Sequence, residues 1–124
     1  MYELFISDRF SAAHQLKGYP GDCARVHGHN WTVTAYFHCD DVGEEGIAVD
    51  FRLLRRAMKD LLAEFDHSDL NAHPAFSDTN PTSELIARYL YKRLEDAVED
   101  QPACVDRVTI SESEGCGATY RKRA

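Results

Sequence analysis

The sequence predicts an α+β domain with the element order β-β-α-α-β-β. Three features support this prediction: apolar side chains alternate over residues 27–39, apolar spacing is helical in the middle of the chain, and two short strand-like segments lie near its end. Strands that follow one another in sequence pair as antiparallel hairpins, with helices packed on the sheet. We therefore expect a four-stranded antiparallel sheet with two helices on one face, and the 124 residues fit one domain over residues 1–124.

The first two strands are predicted over residues 2–10 and 27–39. Residues 17–26, which lie between them, are rich in Gly, Pro, Asp and Lys and are typical of a loop. In the second strand, the period of two places the odd-numbered side chains on one side of the sheet. We expect this side to face the core; it comprises His27, His29, Trp31, Val33, Ala35, Phe37 and Cys39.

Two helices and two further strands complete the predicted fold. Asp50 is suited to cap a first helix, because apolar residues recur at helical spacing from Phe51 to Phe65. Residues 66–81 contain two prolines and are expected to be irregular, and a second helix begins near residues 81–84 and ends at about Glu99. Strands are predicted near 105–112 and 117–122. The two edges of such a sheet need protection, so we expect the chain to oligomerise through them.

Composition and charge exclude several classes of function. The formal net charge of -7 argues against a nucleic-acid-binding surface and disfavours binding to anionic membranes. No apolar run is long enough to span a bilayer, and the N-terminus does not have the pattern of a signal peptide, so we expect a cytoplasmic protein. The four cysteines show no C-x-x-C spacing and are expected to be free thiols.

Three histidines are candidate metal ligands. His27 and His29 lie at i and i+2 on one face of the second strand, and Gly28 between them adds no side chain. The motif H-x-H is common on strands, so a third ligand is needed. His14 ends the first strand, and a hairpin between the two strands would return it close to His27. Three histidines leave one coordination position open, which is typical of a catalytic zinc.

Four other residues are candidates for proton transfer or ligand binding. Cys23 precedes His27 in the same loop; it is a base or nucleophile, a fourth zinc ligand, or an ordinary loop cysteine, and the spacing leaves all three open. Asp66 next to His67 can orient that imidazole for acid–base chemistry, although a histidine near a helix C-terminus also favours the helix dipole. Glu112 shares a strand face with apolar residues; it either binds a ligand or reaches solvent at the strand end.

Six short motifs occur in order along nearly the whole chain, and together they resemble the 6-pyruvoyltetrahydropterin synthase family. They are F-S-A-A-H at 10–14, C-A-R-V-H-G-H-N at 23–30, V-D-F at 49–51, F-D-H at 65–67, N-P-T-S-E at 80–84 and S-E-S at 111–113. The resemblance implies a tunnelling fold, in which the sheets of several subunits join into a barrel. It also implies a homohexamer built from two trimers, with active sites at subunit interfaces.

The resemblance implies a role for each candidate residue. Zinc is the expected cofactor, held by three histidines; a cysteine and an Asp-His pair are catalytic, and a glutamate anchors the pterin ring. These residues are His14, His27 and His29 for zinc, Cys23, Asp66 and His67 for catalysis, and Glu112 for the pterin. Lys17 and Arg25 flank the metal motifs and are candidates for binding the substrate's triphosphate.

The loop before H-G-H points to one branch of the family. Mammalian-type pyruvoyl enzymes have a longer spacer than the three residues 24–26 of this chain. The C-x3-H-G-H form resembles the bacterial and archaeal branch that makes 6-carboxy-5,6,7,8-tetrahydropterin for queuosine (7-deazapurine) biosynthesis. A folate-linked branch has glutamate at the position of Cys23, so the cysteine argues against it. The alternatives are a pyruvoyl-type synthase, which eliminates triphosphate without cleaving the carbon chain, and a non-catalytic zinc- or pterin-binding protein.

Overall fold

The computed structural model describes residues 1–123 and contains one mixed sheet with two helices on one face. Its five strands lie in the order β3-β1-β2-β4-β5. Their bounds are β1 Tyr2–His14, β2 His27–Cys39, β3 Ser68–Asp69, β4 Cys104–Ser113 and β5 Cys116–Tyr120. The predicted α+β class and element order are confirmed, with one additional short strand.

The long hairpin of β1 and β2 forms the centre of the sheet. It pairs antiparallel over its whole length, from Tyr2 opposite Cys39 to His14 opposite His27. The first strand therefore extends four residues beyond the predicted end at Phe10, because pairing with β2 continues to the loop. Side chains of β2 alternate as predicted: those of Trp31 and every second residue after it are buried. This face carries the core.

Helix α1 covers Phe51–Leu62 and α2 covers Ser83–Ala97, both packed on the core side of the sheet. The Asp50 carboxylate accepts a hydrogen bond from the Arg52 N–H, as expected for the predicted cap. The Thr82 hydroxyl accepts one from the Leu85 N–H and caps α2. In residues 1–123, neither helix is long and apolar enough to cross a membrane.

The segment 66–81 is more ordered than predicted. Ser68 and Asp69 form β3, which pairs parallel with Ala12 and Ala13 of β1, so the sheet is mixed and not purely antiparallel. Two 3-10 turns follow, Leu70–Ala72 and Pro74–Phe76, and their residues Leu70 and Phe76 are buried. A strand of two residues has no period that a sequence pattern could reveal, and its pairing depends on packing alone. The four cysteines of the described chain are free, as predicted.

Candidate metal centre and active site

The hairpin brings the three candidate histidines together at one end of the sheet. Its register places His14 opposite His27 and Ala12 opposite His29. The ligand atoms of the three imidazoles all lie within 4.8 Å of one another, close enough to hold a metal ion. His14 is 1% exposed, whereas His27 and His29 are half-buried. One side of the group is therefore closed by protein, and the other is open to a ligand.

Backbone carbonyls orient two of the imidazoles. His14 Nδ1 lies 2.9 Å from the Pro81 carbonyl oxygen, and His27 Nδ1 lies 2.7 Å from that of Arg25. A carbonyl oxygen only accepts hydrogen bonds, so each Nδ1 carries the proton and donates it. Each Nε2 is consequently left with a free lone pair, the form in which histidine binds metals.

Two of the Nε2 atoms have no hydrogen-bond partner in the described chain. They belong to His14 and His29, and both are buried. A buried polar atom without a partner costs roughly 1–3 kcal/mol. A metal ion bound by the three rings would satisfy these atoms, and three imidazoles suit zinc. The residues present therefore fit a metal ion, and zinc is proposed below as its identity.

Trp31 packs against the histidine group from the core side of the sheet. Its side chain is fully buried, and its ring meets those of His14 and His29 edge to face at centroid distances of 5.0 and 5.4 Å. The indole N–H donates to the Ala12 carbonyl oxygen at 3.2 Å, which fixes the ring on the sheet. Trp31 was predicted only as a core residue, although its place two residues after His29 puts it on the same face of β2.

Glu112 approaches the histidines from β4. Its Oε2 lies 3.6 Å from the Nε2 atoms of both His14 and His29, and its side chain is 35% exposed. This distance is too long for a hydrogen bond, so the contact is electrostatic. Burial lowers the pKa of His29, and the two neighbouring imidazoles act in the same direction against the opposing effect of Glu112. The lowered pKa favours the neutral, metal-binding form of the His29 ring.

A bulge in β4 determines where Glu112 lies along the strand. Ile110 pairs with Ala118 but Ser113 pairs with Cys116, so β4 contains one more residue than β5 between these pairs. The Ser111 hydroxyl lies within hydrogen-bond distance of the Ser113 and Cys116 carbonyl oxygens and closes the turn. This turn holds the strand end that carries the carboxylate.

The Asp66–His67 pair is held against β1 but is not part of the histidine group. Asp66 Oδ2 lies 3.0 Å from His67 Nδ1, and Asp66 Oδ1 accepts the Ser11 N–H at 2.9 Å. That Ser11 N–H is the main cause of the lowered pKa of Asp66, and His67 adds to it. The His67 N–H donates to the Ser11 carbonyl oxygen at 2.6 Å.

The backbone of His67 is unusual, since its φ of 57° is the one positive value at a non-glycine residue of the described chain. Such conformations cost energy and persist where surrounding contacts enforce them. Its side chain is 83% exposed and borders a cleft of about 380 Å3 with Ser11, Gly28 and Asn30. His29 also lines this cleft, which connects the Asp-His pair to the histidine group.

The remaining candidates lie on the loop after β1. Cys23 is half-buried on a 3-10 turn, Gly21–Ala24, and is not a member of the group whose ligand atoms lie together. Lys17 is exposed and borders a polar cleft of about 290 Å3. Arg25 is exposed; its N–H donates to the Asp22 carbonyl oxygen at 3.0 Å, and its own carbonyl oxygen accepts from His27 Nδ1. The geometry thus gives Arg25 a role that the sequence did not reveal.

Comparisons with known proteins identify the family of the chain. Residues 3–123 match the family model described as 6-pyruvoyl tetrahydropterin synthase. The 6-carboxy-5,6,7,8-tetrahydropterin synthase of Bacillus subtilis (strain 168) is 32% identical over 130 residues, covering 98% of this chain and 86% of that protein. The synthase of the same name from Synechocystis is 33% identical over 102 residues, covering 78% of each.

A solved structure shares the fold. The 6-pyruvoyl tetrahydropterin synthase of Caenorhabditis elegans superposes with a TM-score of 0.89 at 27% identity, covering 98% of this chain and 96% of that one.

Proposed function

The chain belongs to the 6-pyruvoyl tetrahydropterin synthase family, and on that premise we propose that it is a zinc-dependent carbon–carbon lyase. The proposed reaction converts 7,8-dihydroneopterin triphosphate to 6-carboxy-5,6,7,8-tetrahydropterin, with release of acetaldehyde and triphosphate, in queuosine biosynthesis. The names of the bacterial relatives at 32% and 33% identity support this choice. The three-residue spacer between Cys23 and His27 supports it independently.

One observation carries the proposal: three imidazoles present their ligand atoms to one point while backbone carbonyls hold the protons on the opposite nitrogens of His14 and His27. His14, His27 and His29 would hold the zinc ion. Zinc bound there would supply Lewis-acid polarisation of oxygens on the substrate side chain. The open side of the group leaves room for that substrate.

The acidic and thiol groups of the chain have distinct proposed roles. Glu112 accepts hydrogen bonds from N–H groups of the pterin ring, because an ionised carboxylate offers only acceptors. Cys23, as thiolate, takes up a proton at the side-chain carbon next to the ring. His67, which Asp66 orients through the 3.0 Å contact, serves the other proton transfers. The cleft shared by His67 and His29 is where the substrate side chain would lie.

A triphosphate site and a subunit assembly are also part of the proposal. Lys17 and Arg25 are exposed cations on the loop between β1 and β2 and are the proposed triphosphate ligands. We propose a cytoplasmic homohexamer, a dimer of trimers, with active sites at subunit interfaces. The exposure of His67 supports this arrangement, since a catalytic imidazole works best in a site that excludes water.

A second candidate is a pyruvoyl-type synthase, which eliminates triphosphate and leaves the carbon chain intact. The close superposition on the Caenorhabditis elegans enzyme of that name, with a TM-score of 0.89, favours it. The two activities differ in whether a carbon–carbon bond breaks. Because the chemistry depends on the site, the products decide between the two activities.

Product analysis tests the proposal. The zinc-loaded protein is incubated with 7,8-dihydroneopterin triphosphate, and the products are identified by mass spectrometry. The proposed lyase releases acetaldehyde and 6-carboxytetrahydropterin in equal amounts. A pyruvoylpterin without acetaldehyde would identify the second candidate. An unchanged substrate that still binds would identify a pterin-binding protein without catalysis.

A further inference from the structure

Two asparagine side chains hold the backbone segment that follows His14. The Gln15 N–H donates to Asn71 Oδ1 at 2.8 Å, and Asn71 Nδ2 donates to the Gln15 carbonyl oxygen at 3.1 Å. Asn80 makes the same pair of bonds with Lys17, at 2.8 and 3.0 Å. Each amide thus satisfies the donor and the acceptor of one residue, as a neighbouring strand would do.

Leu16, which lies between Gln15 and Lys17, contacts the loop that carries Cys23. The Leu16 N–H donates to the Cys23 carbonyl oxygen at 2.7 Å. The turn Gly21–Ala24 buries none of its residues, so it has no apolar anchor of its own. Besides the link through Arg25 to β2, this hydrogen bond fixes the position of the turn relative to the metal centre, and it depends on where the segment 15–17 lies.

Both asparagines are themselves fixed to the core. Asn71 follows Leu70, which is fully buried, and its N–H donates to the Asp69 carboxylate at 3.0 Å. Asn80 precedes Pro81, whose carbonyl oxygen accepts the bond from His14 Nδ1. The same short stretch therefore orients a metal-binding imidazole through its backbone and holds the segment 15–17 through a side chain.

We propose that Asn71 and Asn80 are positioning residues that set the place of Cys23 relative to the three histidines. The inference rests on the proposed function, in which Cys23 moves a proton of the substrate. Neither asparagine needs to contact the substrate. They act through the backbone of residues 15–17 and its hydrogen bond to Cys23.

The test uses isosteric variants. Asn71→Asp and Asn80→Asp keep the shape of the side chain but lose the Nδ2 donors, and they place a carboxylate oxygen against a backbone carbonyl oxygen. Asp78→Asn is the matched control, since it makes the reverse change at an exposed residue of the same loop as Asn80. Melting temperatures compare the folding of all variants, and each asparagine is judged by its own variant. If Asn71→Asp does not fold, Asn80→Asp decides.

Two readouts need no substrate. Hydrogen exchange of the Leu16 amide is expected to become roughly tenfold faster in each aspartate variant, because the segment that carries it opens more often. The alkylation rate of Cys23 by iodoacetamide, measured by peptide mass spectrometry, is expected to change as well. Cys104 and Cys116 are exposed and serve as internal references whose rates stay constant. Unchanged Leu16 exchange or unchanged Cys23 alkylation in the folded variants would overturn the proposal.

The third readout is turnover of 7,8-dihydroneopterin triphosphate. We expect kcat to fall roughly 10–100-fold, as for a misplaced catalytic group, with KM and zinc content retained. Retained kcat despite faster exchange would overturn the proposal. If the wild-type protein forms no product, the proposed function fails, and the two substrate-free readouts then decide this inference alone.

Discussion

Gly117 lies where β5 passes closest to the bulge of β4. A Cβ atom at this position would meet the Ile110 carbonyl oxygen at 2.6 Å and the Ser111 Cα at 3.4 Å. Real Cβ atoms essentially never approach another heavy atom closer than 3.0 Å. Gly117→Ala must therefore separate the two strands by at least the difference between 2.6 and 3.0 Å. The obstacle is backbone, and the Ile110 side chain is fully buried, so β4 has little freedom to retreat.

The expected cost follows from this overlap. Overpacking of a rigid contact costs about 1–3 kcal/mol, which lowers the melting temperature by roughly 4–12 °C in a domain of this size. The displaced segment also carries Glu112. A 1 Å misplacement of a functional group lowers a reaction rate about 10²-fold. The expected shift of Glu112 is only a few tenths of an ångström, so we expect pterin binding to weaken about tenfold.

Thermal unfolding by circular dichroism and calorimetric titration with a pterin measure the two effects. Gly43→Ala is the control, because its Cβ would lie 3.5 Å from the Ile47 carbonyl oxygen, an ordinary contact. It is expected to change stability by less than about 0.5 kcal/mol. A Gly117→Ala protein as stable as the control would refute the close contact. A destabilised protein with unchanged pterin affinity would refute the link between this turn and Glu112.

Single substitutions test the other assignments. His27→Ala removes one of three ligands, so elemental analysis should show far less than one zinc per chain; full zinc content would contradict the assignment. Glu112→Gln should weaken pterin binding in calorimetry without loss of zinc, and equal affinity would count against an anchor. Cys23→Ala should keep zinc and pterin binding but lose about 10²–10⁴-fold in acetaldehyde release. Normal acetaldehyde release would refute a catalytic role of Cys23, and loss of zinc would identify Cys23 as a zinc ligand. The hydrogen bond from Arg93 holds the pKa of Glu64 below its ordinary value of about 4.5. The ionised Glu64 carboxylate therefore stabilises the fold above that pH, and this stabilisation is lost as the pH falls through the lowered pKa. Glu64→Gln should therefore flatten the acid side of urea-unfolding stability against pH, and an unchanged slope would contradict this.

The sequence alone determined those features that repeat over several residues or depend on near neighbours. The alternation over residues 27–39 predicted β2 with its correct bounds and buried face. Asp50 predicted the beginning of α1, because a cap acts on the N–H groups of the next turn. The spacing of His27 and His29 placed two candidate metal ligands on one face, since side chains of a strand repeat every second residue.

Only the tertiary structure decided the contacts that join distant residues. Pro81 orients His14 across 67 positions of sequence, Asn71 holds Gln15 across 56, and β3 pairs with β1 over two residues. None of these contacts leaves a period or a local spacing, because each arises from one side chain or carbonyl that packing brings into place. The sequence therefore indicated the candidate ligands and reactive groups, and the fold decided which atoms hold them in position.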